Sequence, residues 1–396
     1  MKATSDFVRI GLVLSSVPAY SETFFTSKIN GLSKRGYRIV VFARGNRKTD
    51  LKCSVVQPYP VYKSGLVRLL CMCVVLPLVF TRAPLASLRL WRLEKRDGLS
   101  HTQILKSLYL NAHILPYTLH WLHLGFAAVG IGRENVAKAI GSQLAVSFRG
   151  YDINVYPLKH HGCYDRLWTK VDKVHAISHY LVNQSRALGL ADSTPFQIIT
   201  PAVSNYLPVK NDFEIKKPIQ LLTVARLTWV KGLSIALQAV SQLKSTGVEV
   251  HYTIIGDGPD HEYLLHEIYA LELTKWVTLT GKLSHADTLN RIQQSDIYLQ
   301  PSLNEGFCNA VLEAQAMGCL CLASRVGGLT ENIEHGVTGW LFEPRNSGAC
   351  AEAIVRLINL SLEERTTISS QARQRVAAHF QMDKQVLQWK LFYESN

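Results

Sequence analysis

The C-terminal half of the chain alternates short apolar segments rich in β-branched residues with longer segments of helical periodicity. The apolar segments are Ile219–Val224, Val250–Ile255, Val277–Leu279, Ile297–Gln300 and Leu320–Ala323. The helical segments between them are Leu233–Leu243, Asp260–Leu271 and Ala286–Gln294. Apolar strands that alternate with helices at this spacing predict βαβ units on a parallel sheet that is buried on both faces.

The N-terminal half begins with the same alternation and then departs from it. Strands are predicted at Ile10–Leu14, Arg38–Ala43, Leu144–Phe148 and Val174–Ile177, with a helix at Thr23–Lys34. A chain of 396 residues exceeds what one hydrophobic core usually serves, so two domains are expected. We predict an α/β protein with two Rossmann-like, doubly wound domains that face a cleft. The predicted domains are residues 1–205 and 206–375, and a C-terminal helix over 376–396 is expected to pack back on the first domain.

The positive charge is confined to one half of the chain. Residues 1–205 contain 26 Lys and Arg against 10 Asp and Glu, whereas residues 206–396 contain 17 against 20. A basic half indicates an anionic partner, which could be nucleic acid, an anionic membrane surface or a phosphorylated substrate. No zinc-finger spacing, basic heptad region or aromatic RNA-binding pattern is present, so no nucleic-acid partner is expected. The eight cysteines include no C-x-x-C pair, which favours reduced thiols in a cytosolic protein.

Several catalytic motifs are absent from the sequence. His261 and His266 are one residue too far apart for H-E-x-x-H, and Gly256-Asp-Gly258 lacks the third glycine of a dinucleotide-binding turn. The chain contains no G-x-S-x-G elbow and no P-loop, which argues against a serine hydrolase and a P-loop NTPase. It also contains no D-x-D pair, the usual means of holding a divalent ion on a sugar diphosphate, so no metal is expected.

The most informative constellation surrounds two glutamates, Glu305 and Glu313, after the strand at Ile297–Gln300. Eight helical steps rotate about 80° beyond two turns, so the pair could not share one helix face. We therefore expect Glu305 in a loop and Glu313 in a helix that begins near Cys308 or Asn309. Gly306 would allow close backbone approach, and the N–H groups at the helix start suit a phosphate.

Two cations follow the first strand of the same domain. Arg226 and Lys231 would lie at the carboxyl edge of the sheet, where ligands of open α/β folds bind. A forked guanidinium and an ammonium both favour a diphosphate leaving group. Further along, the segment Gly281-Lys282-Leu283 ends a strand and could present backbone groups to a nucleobase.

These segments resemble the group 1 glycosyltransferases, the retaining family 4 with the GT-B fold. The resemblance is carried by E-x7-E at Glu305 and Glu313, by R-L-x-x-x-K-G at 226–232, and by S-D-x-x-x-x-P-S at 295–302. The N-terminal half is similar to the exopolysaccharide branch through Pro18–Phe24 and Ser147–Asp152.

The resemblance implies a role for each matching residue. Arg226 and Lys231 would hold the diphosphate, Glu313 the ribose and Glu305 the donor sugar. Backbone N–H groups would come from Gly306, Phe307, Cys308 and Asn309. Relatives often carry His where this chain has Arg149, which puts the donor-sugar contact there in doubt. Asp152 is then the candidate for orienting or deprotonating the acceptor, although it could equally cap a helix or pair with Arg149. Glu22 is a further candidate contact or a helix cap.

A basic insertion at residues 62–110 interrupts the alternation of strands and helices. Eight basic residues lie between 62 and 106 against Glu94 and Asp97. The uncharged run Leu69–Thr81 has thirteen residues, fewer than the roughly 20 that a spanning helix needs. An interfacial helix on an anionic membrane would have this pattern, and so would an ordinary helix with a solvated face.

This resemblance, together with the basic insertion, implies a retaining, metal-independent glycosyltransferase at the inner face of the cell membrane. It would move a sugar from a UDP- or GDP-sugar to a lipid-linked saccharide acceptor in cell-surface polysaccharide or glycolipid synthesis. Two alternatives remain at this stage. One is a sugar-nucleotide epimerase or hydrolase on the same fold, and the other is a non-catalytic subunit.

Overall fold

The computed structural model describes residues 7–18, 23–45, 51–204 and 207–395. It divides the chain into two compact units, residues 1–199 with 386–396, and residues 200–385. The first boundary lies before the position expected from the sequence and the second lies after it. The reason is a set of hydrogen bonds within the second unit, in which Val203 N donates to Phe380 O (3.0 Å) and Gln385 Nε2 donates to Thr200 O (2.6 Å).

The first unit contains a sheet of seven parallel strands. The strands are β1 Arg9–Ser16, β2 Arg38–Arg44, β3 Ser54–Val56, β4 Trp121–Leu124, β5 Gln143–Phe148, β6 Lys173–Ala176 and β7 Phe196–Ile198. Their order in the sheet is β3-β2-β1-β4-β5-β6-β7. This is the doubly wound order, and its switch point lies between β1 and β4. Buried apolar residues of β1, such as Ile10 and Leu12, form the centre of the core.

Nine helices of the first unit are described. They are α1 Thr23–Ser33, α2 Gly65–Arg82, α3 Pro84–Arg96, α4 His101–Asn111, α5 Val136–Ile140, α6 Gly150–Asn154, α7 Tyr156–Lys159, α8 Asp165–Trp168 and α9 His179–Ala187. The insertion is thus helical, as predicted, and consists of α2, α3 and α4. Helix α2 begins at Gly65 and runs through Arg68 over 18 residues, so the uncharged run Leu69–Thr81 is part of one longer helix.

The second unit contains six parallel strands. They are β8 Ile219–Val224, β9 Val250–Ile255, β10 Val277–Gly281, β11 Ile297–Gln300, β12 Leu320–Ser324 and β13 Trp340–Phe342. The order β10-β9-β8-β11-β12-β13 repeats the doubly wound pattern, with its switch point between β8 and β11. Successive residues of one strand enter different apolar clusters, as Leu221 and Leu222 do. The sheet is therefore covered on both faces, as the apolar strands predict.

The helices of the second unit lie between and after these strands. They are α10 Leu233–Ser245, α11 His261–Ala270, α12 His285–Gln294, α13 Asn309–Met317, α14 Leu329–Asn332, α15 Ser347–Ile358 and α16 Leu362–His379. A last helix, α17 Met382–Glu394, follows α16 after a break at Phe380 and Gln381.

Residues 386–396 pack into the first unit. The side chains of Trp389, Phe392 and Tyr393 are buried in its core. Lys173 Nζ donates to Phe392 O (2.9 Å) and Ser395 O (2.8 Å), so a cation satisfies carbonyl groups at the end of α17.

Candidate active site

Two loops at the carboxyl edge of the second sheet are joined by a backbone hydrogen bond and by close packing. The loop after β8 carries Arg226 and closes in a 3-10 turn at Trp229–Lys231. Its backbone oxygen at Val230 accepts a hydrogen bond from Leu303 N (2.7 Å) in the loop after β11. Gly232 has φ +61°, and a Cβ there would lie 2.1 Å from Pro301 O. Only glycine fits at that position. The glycine of the R-L-x-x-x-K-G pattern therefore lets the loop after β8 pack against Pro301, and this packing positions the preceding residue, Lys231.

Lys231 and Glu305 form an ion pair at this edge. Their Nζ and Oε2 atoms are 2.5 Å apart, and the side chains are 21% and 15% exposed. Burial opposes the charged form of Lys231, but the Glu305 carboxylate outweighs it and raises the pKa of Lys231. The exposed Arg226 guanidinium is close enough for its charge to lower that pKa. The site thus gathers two cations against one carboxylate.

A series of hydrogen bonds between buried polar side chains positions the Glu305 carboxylate. Ser302 Oγ donates to Glu305 Oε2 (3.2 Å), and Gln300 Nε2 donates to Ser302 Oγ (2.8 Å). Gln300 and Ser302 are both fully buried. Tyr298 OH in turn donates to Gln300 Oε1 (3.2 Å). The S-D-x-x-x-x-P-S strand thereby orients the loop carboxylate.

The two glutamates lie where their spacing predicts. Glu305 is in the loop, and Glu313 is in the second turn of α13, which begins at Asn309 after the extended residue Cys308. The segment at Gly306 and Phe307 leads into this helix start, with the Phe307 ring buried. Gly328 N donates to Glu305 O (2.9 Å), so a second loop closes over the backbone at this point.

A residue that the sequence did not single out contacts Glu313. His285 Nε2 is 3.4 Å from Glu313 Oε1, and His285 is the first residue of α12. Only Ser284 separates it from the segment Gly281-Lys282-Leu283, in which Gly281 ends β10 with φ +70° and Lys282 is exposed. The available signal was Ser284, a helix-capping residue type just after a predicted strand. The contact brings the expected base segment and the expected ribose carboxylate together.

The first unit holds the remaining candidates. Asp152 is 2% exposed. Its Oδ2 accepts from Ala127 N (2.7 Å) and its Oδ1 accepts from Arg149 N (2.9 Å). Burial raises the pKa of Asp152 to about 7 although both hydrogen bonds oppose that rise. The Arg149 guanidinium lies 3.5 Å from the centre of the Phe24 ring. Asp152 thus caps the start of α6, which is one of the alternatives that the sequence left open, and Glu22 lies outside the described residues.

Within the described ranges, no group of three or more His, Cys, Asp or Glu side chains is arranged to hold a metal ion. All eight cysteines are free thiols, and burial raises the pKa of Cys308 to about 12.

The fold is GT-B, since each of two doubly wound parallel sheets forms its own compact unit in one chain. Residues 209–375 match the family described as "Glycosyl transferases group 1". That segment matches the group 1 glycosyltransferases, and the chain is similar to an exopolysaccharide biosynthesis glycosyltransferase across most of its length.

Three relatives illustrate this similarity. The amylovoran biosynthesis glycosyltransferase AmsK of Erwinia amylovora is 26% identical over 91% of this chain and 95% of its own. The putative colanic acid biosynthesis glycosyltransferase WcaL of Escherichia coli is 27% identical over 65% of this chain and 66% of its own. Among solved structures, HepE of Anabaena in complex with UDP and glucose has a TM-score of 0.70 at 17% identity, covering 98% of this chain and all of that one. At 17% identity, the similarity to HepE shows that the two proteins share a fold.

Proposed function

We propose that the second unit binds the nucleoside diphosphate of a UDP- or GDP-sugar. The observation that carries this proposal is the Lys231–Glu305 pair, with Arg226 beside it, at the carboxyl edge of a doubly wound sheet. Ligands of such sheets bind outside the carboxyl ends of the strands at the switch point, and β8 and β11 flank that point here. Arg226 and Lys231 would hold the two phosphates, and Glu313 the ribose hydroxyls.

The proposed chemistry is sugar transfer with retention of the anomeric configuration. The bond between the anomeric carbon and the phosphate oxygen breaks as the acceptor oxygen bonds to that carbon from the same face. The acceptor proton passes to the departing phosphate. Arg226 and Lys231 stabilise the charge that grows on the diphosphate, and Glu305 binds hydroxyl groups of the sugar. Two fixed cations supply the charge that a metal ion would otherwise provide.

The acceptor proposed is a lipid-linked saccharide, reached from the membrane surface through the insertion of the first unit. Helix α2 is long and apolar enough to cross a membrane by length and composition, with a mean hydropathy of 1.9 and only 11% of it buried. The helix is therefore longer than its uncharged run of thirteen residues, Leu69–Thr81. Its exposed apolar side chains are Leu66, Val67, Leu69, Leu70 and Val74. Helix α3 adds exposed basic residues at Arg89, Arg92, Lys95 and Arg96.

The sheet topology argues against a crossing of the membrane by α2. Strand β1 precedes α2 in the chain and β4 follows it, yet Ile10–Val13 pair directly with Trp121–Leu124. A single crossing by α2 would place these two strands on opposite sides of the bilayer. An in-plane helix beside basic residues is the arrangement that binds anionic leaflets. We therefore propose a peripheral enzyme at the cytosolic face that serves cell-surface polysaccharide assembly.

Replacement of Lys231 tests the donor site. Lys231→Ala should weaken binding of UDP or GDP by tenfold or more, because a charge-assisted hydrogen bond is worth about 1.5–3 kcal/mol. Isothermal titration calorimetry would measure the dissociation constants. Lys244→Ala is a matched control, since Lys244 pairs with Glu272 instead. Equal affinities in wild type and Lys231→Ala would overturn the proposed site.

A further inference from the structure

His285 and Glu313 form a pair between two helices of the second unit. His285 Nε2 and Glu313 Oε1 are 3.4 Å apart, and the side chains are 52% and 25% exposed. Ser284 caps α12 by accepting from Asp287 N (3.1 Å), and this fixes the first turn in which His285 stands. Glu313 projects from the neighbouring helix α13, so the pair is fixed by two separate elements.

The position of His285 is unusual for a cation. The N-terminus of a helix carries partial positive charge, which disfavours a protonated histidine there. The hydrogen bond with Glu313 nevertheless raises the pKa of His285 above its ordinary value, against an opposing contribution from burial. The pairing with Glu313 therefore outweighs the effect of burial.

We propose that His285 is a positioning residue that holds the Glu313 carboxylate in the orientation that accepts the ribose hydroxyl groups. The proposal rests on the donor site proposed above, in which Glu313 binds the ribose. A carboxylate has about four acceptor directions, and one N–H from His285 leaves the others for two hydroxyl groups. Without that N–H, the Glu313 side chain would be mobile in the free protein. Its conformational entropy would then be lost when a nucleotide binds, which would lower the affinity.

The pair also implies a pH dependence of a definite sign. Below the raised pKa, His285 is charged and holds Glu313 strongly; above it, only a neutral imidazole remains. Other titratable groups on the neighbouring elements are Lys282, Asp287, Arg291 and Tyr298. Asp287 accepts from Ser284 Oγ (2.6 Å), and burial keeps the pKa of Tyr298 well above 10. The terminal phosphate of UDP or GDP also titrates at about pH 6, so the contribution of His285 is the difference in pH dependence between the wild type and its His285 variants from pH 6 to pH 8.

The experiment compares wild type, His285→Ala and His285→Gln. Each protein is titrated calorimetrically with UDP and GDP, with their 2′,3′-dideoxy counterparts, and with inorganic pyrophosphate. His285→Ala should weaken UDP or GDP binding about fivefold to tenfold, and it should bring the ribo and dideoxy affinities closer together. Pyrophosphate binding should stay unchanged. His285→Gln, which keeps an N–H donor, should restore most of the affinity but show only the pH dependence that comes from the nucleotide's own phosphate between pH 6 and pH 8.

The outcomes separate this proposal from the one on which it rests. If wild type prefers the ribose forms and His285→Ala keeps that preference, the positioning role is wrong while the donor site stands. An equal loss for ribo and dideoxy nucleotides would also overturn it, since His285 would then act on the base or the phosphates. If wild type binds no nucleoside diphosphate more tightly than pyrophosphate, the donor site fails and the role of His285 fails with it.

Discussion

Three carboxylates in this chain are held in three different ways. Glu305 pairs with Lys231, Glu313 pairs with His285, and Asp152 accepts two backbone N–H groups. The positions of the two glutamates could be predicted from their spacing. Eight helical steps would place them on different faces of one helix, so Glu305 was expected in the loop and Glu313 in the helix. The environment of Asp152 could not be predicted, since one of its donors, Ala127, is distant in the sequence and meets it only in the folded chain.

A substitution at Asp152 distinguishes support of the fold from contact with substrate. In Asp152→Asn, the amide keeps one acceptor oxygen and turns an NH₂ group toward a backbone N–H. We expect the free energy of unfolding to fall by about 1–3 kcal/mol, because a buried donor loses its partner. Urea unfolding monitored by tryptophan fluorescence would measure it. Asp192→Asn is the control, as that side chain is 88% exposed. Unchanged stability together with lost sugar transfer would instead support a catalytic Asp152.

The elements most reliably predicted are those whose residue pattern is set by burial on both faces. Strands β8, β9 and β11 have the predicted bounds. Strand β4 was missed because His123 interrupts its apolar pattern. Its buried ring is accommodated by hydrogen bonds with Ser147 Oγ (2.7 Å) and Tyr393 OH (2.6 Å). Strands β3 and β7 have only three residues each, too few to show a period.

Helix α2 provides the test of membrane docking. Replacing Leu66, Leu69 and Leu70 together with Ser should abolish flotation with liposomes that contain phosphatidylserine. All three leucines are exposed in this structure. Burial of one leucine side chain in the membrane should contribute about 1.5–3 kcal/mol to the free energy of membrane binding. Flotation of the wild type should weaken as salt rises, because screening reduces the attraction to anionic lipid.

The matched control for α2 is the exposed pair Leu265 and Leu362 in the second unit, each replaced with Ser. These variants should float as the wild type does. Equal flotation of the wild type with neutral and anionic liposomes, or unaffected flotation of the α2 variant, would contradict the proposed docking.

At the scale of the whole molecule, the two units differ in charge and share a sheet order. The net charge of the chain is +13, and the basic excess lies in the half that carries the exposed apolar helix. Two doubly wound domains could be predicted from the alternation of strands and helices, although β3, β4 and β7 of the first sheet could not. The division of the chain between the units could not, because it depends on hydrogen bonds that join 200–203 to 380–385 across the sequence.

The most direct measurement of the central claim follows a labelled sugar. The protein is incubated with radiolabelled UDP-, GDP- and ADP-sugars, with and without a lipid extract from exopolysaccharide-producing bacteria. We predict that label from one donor enters the lipid fraction, that an α-glycosidase releases it, and that Glu305→Gln abolishes the transfer. Free or epimerised sugar formed equally without the lipid extract would contradict a transferase and indicate a hydrolase or an epimerase.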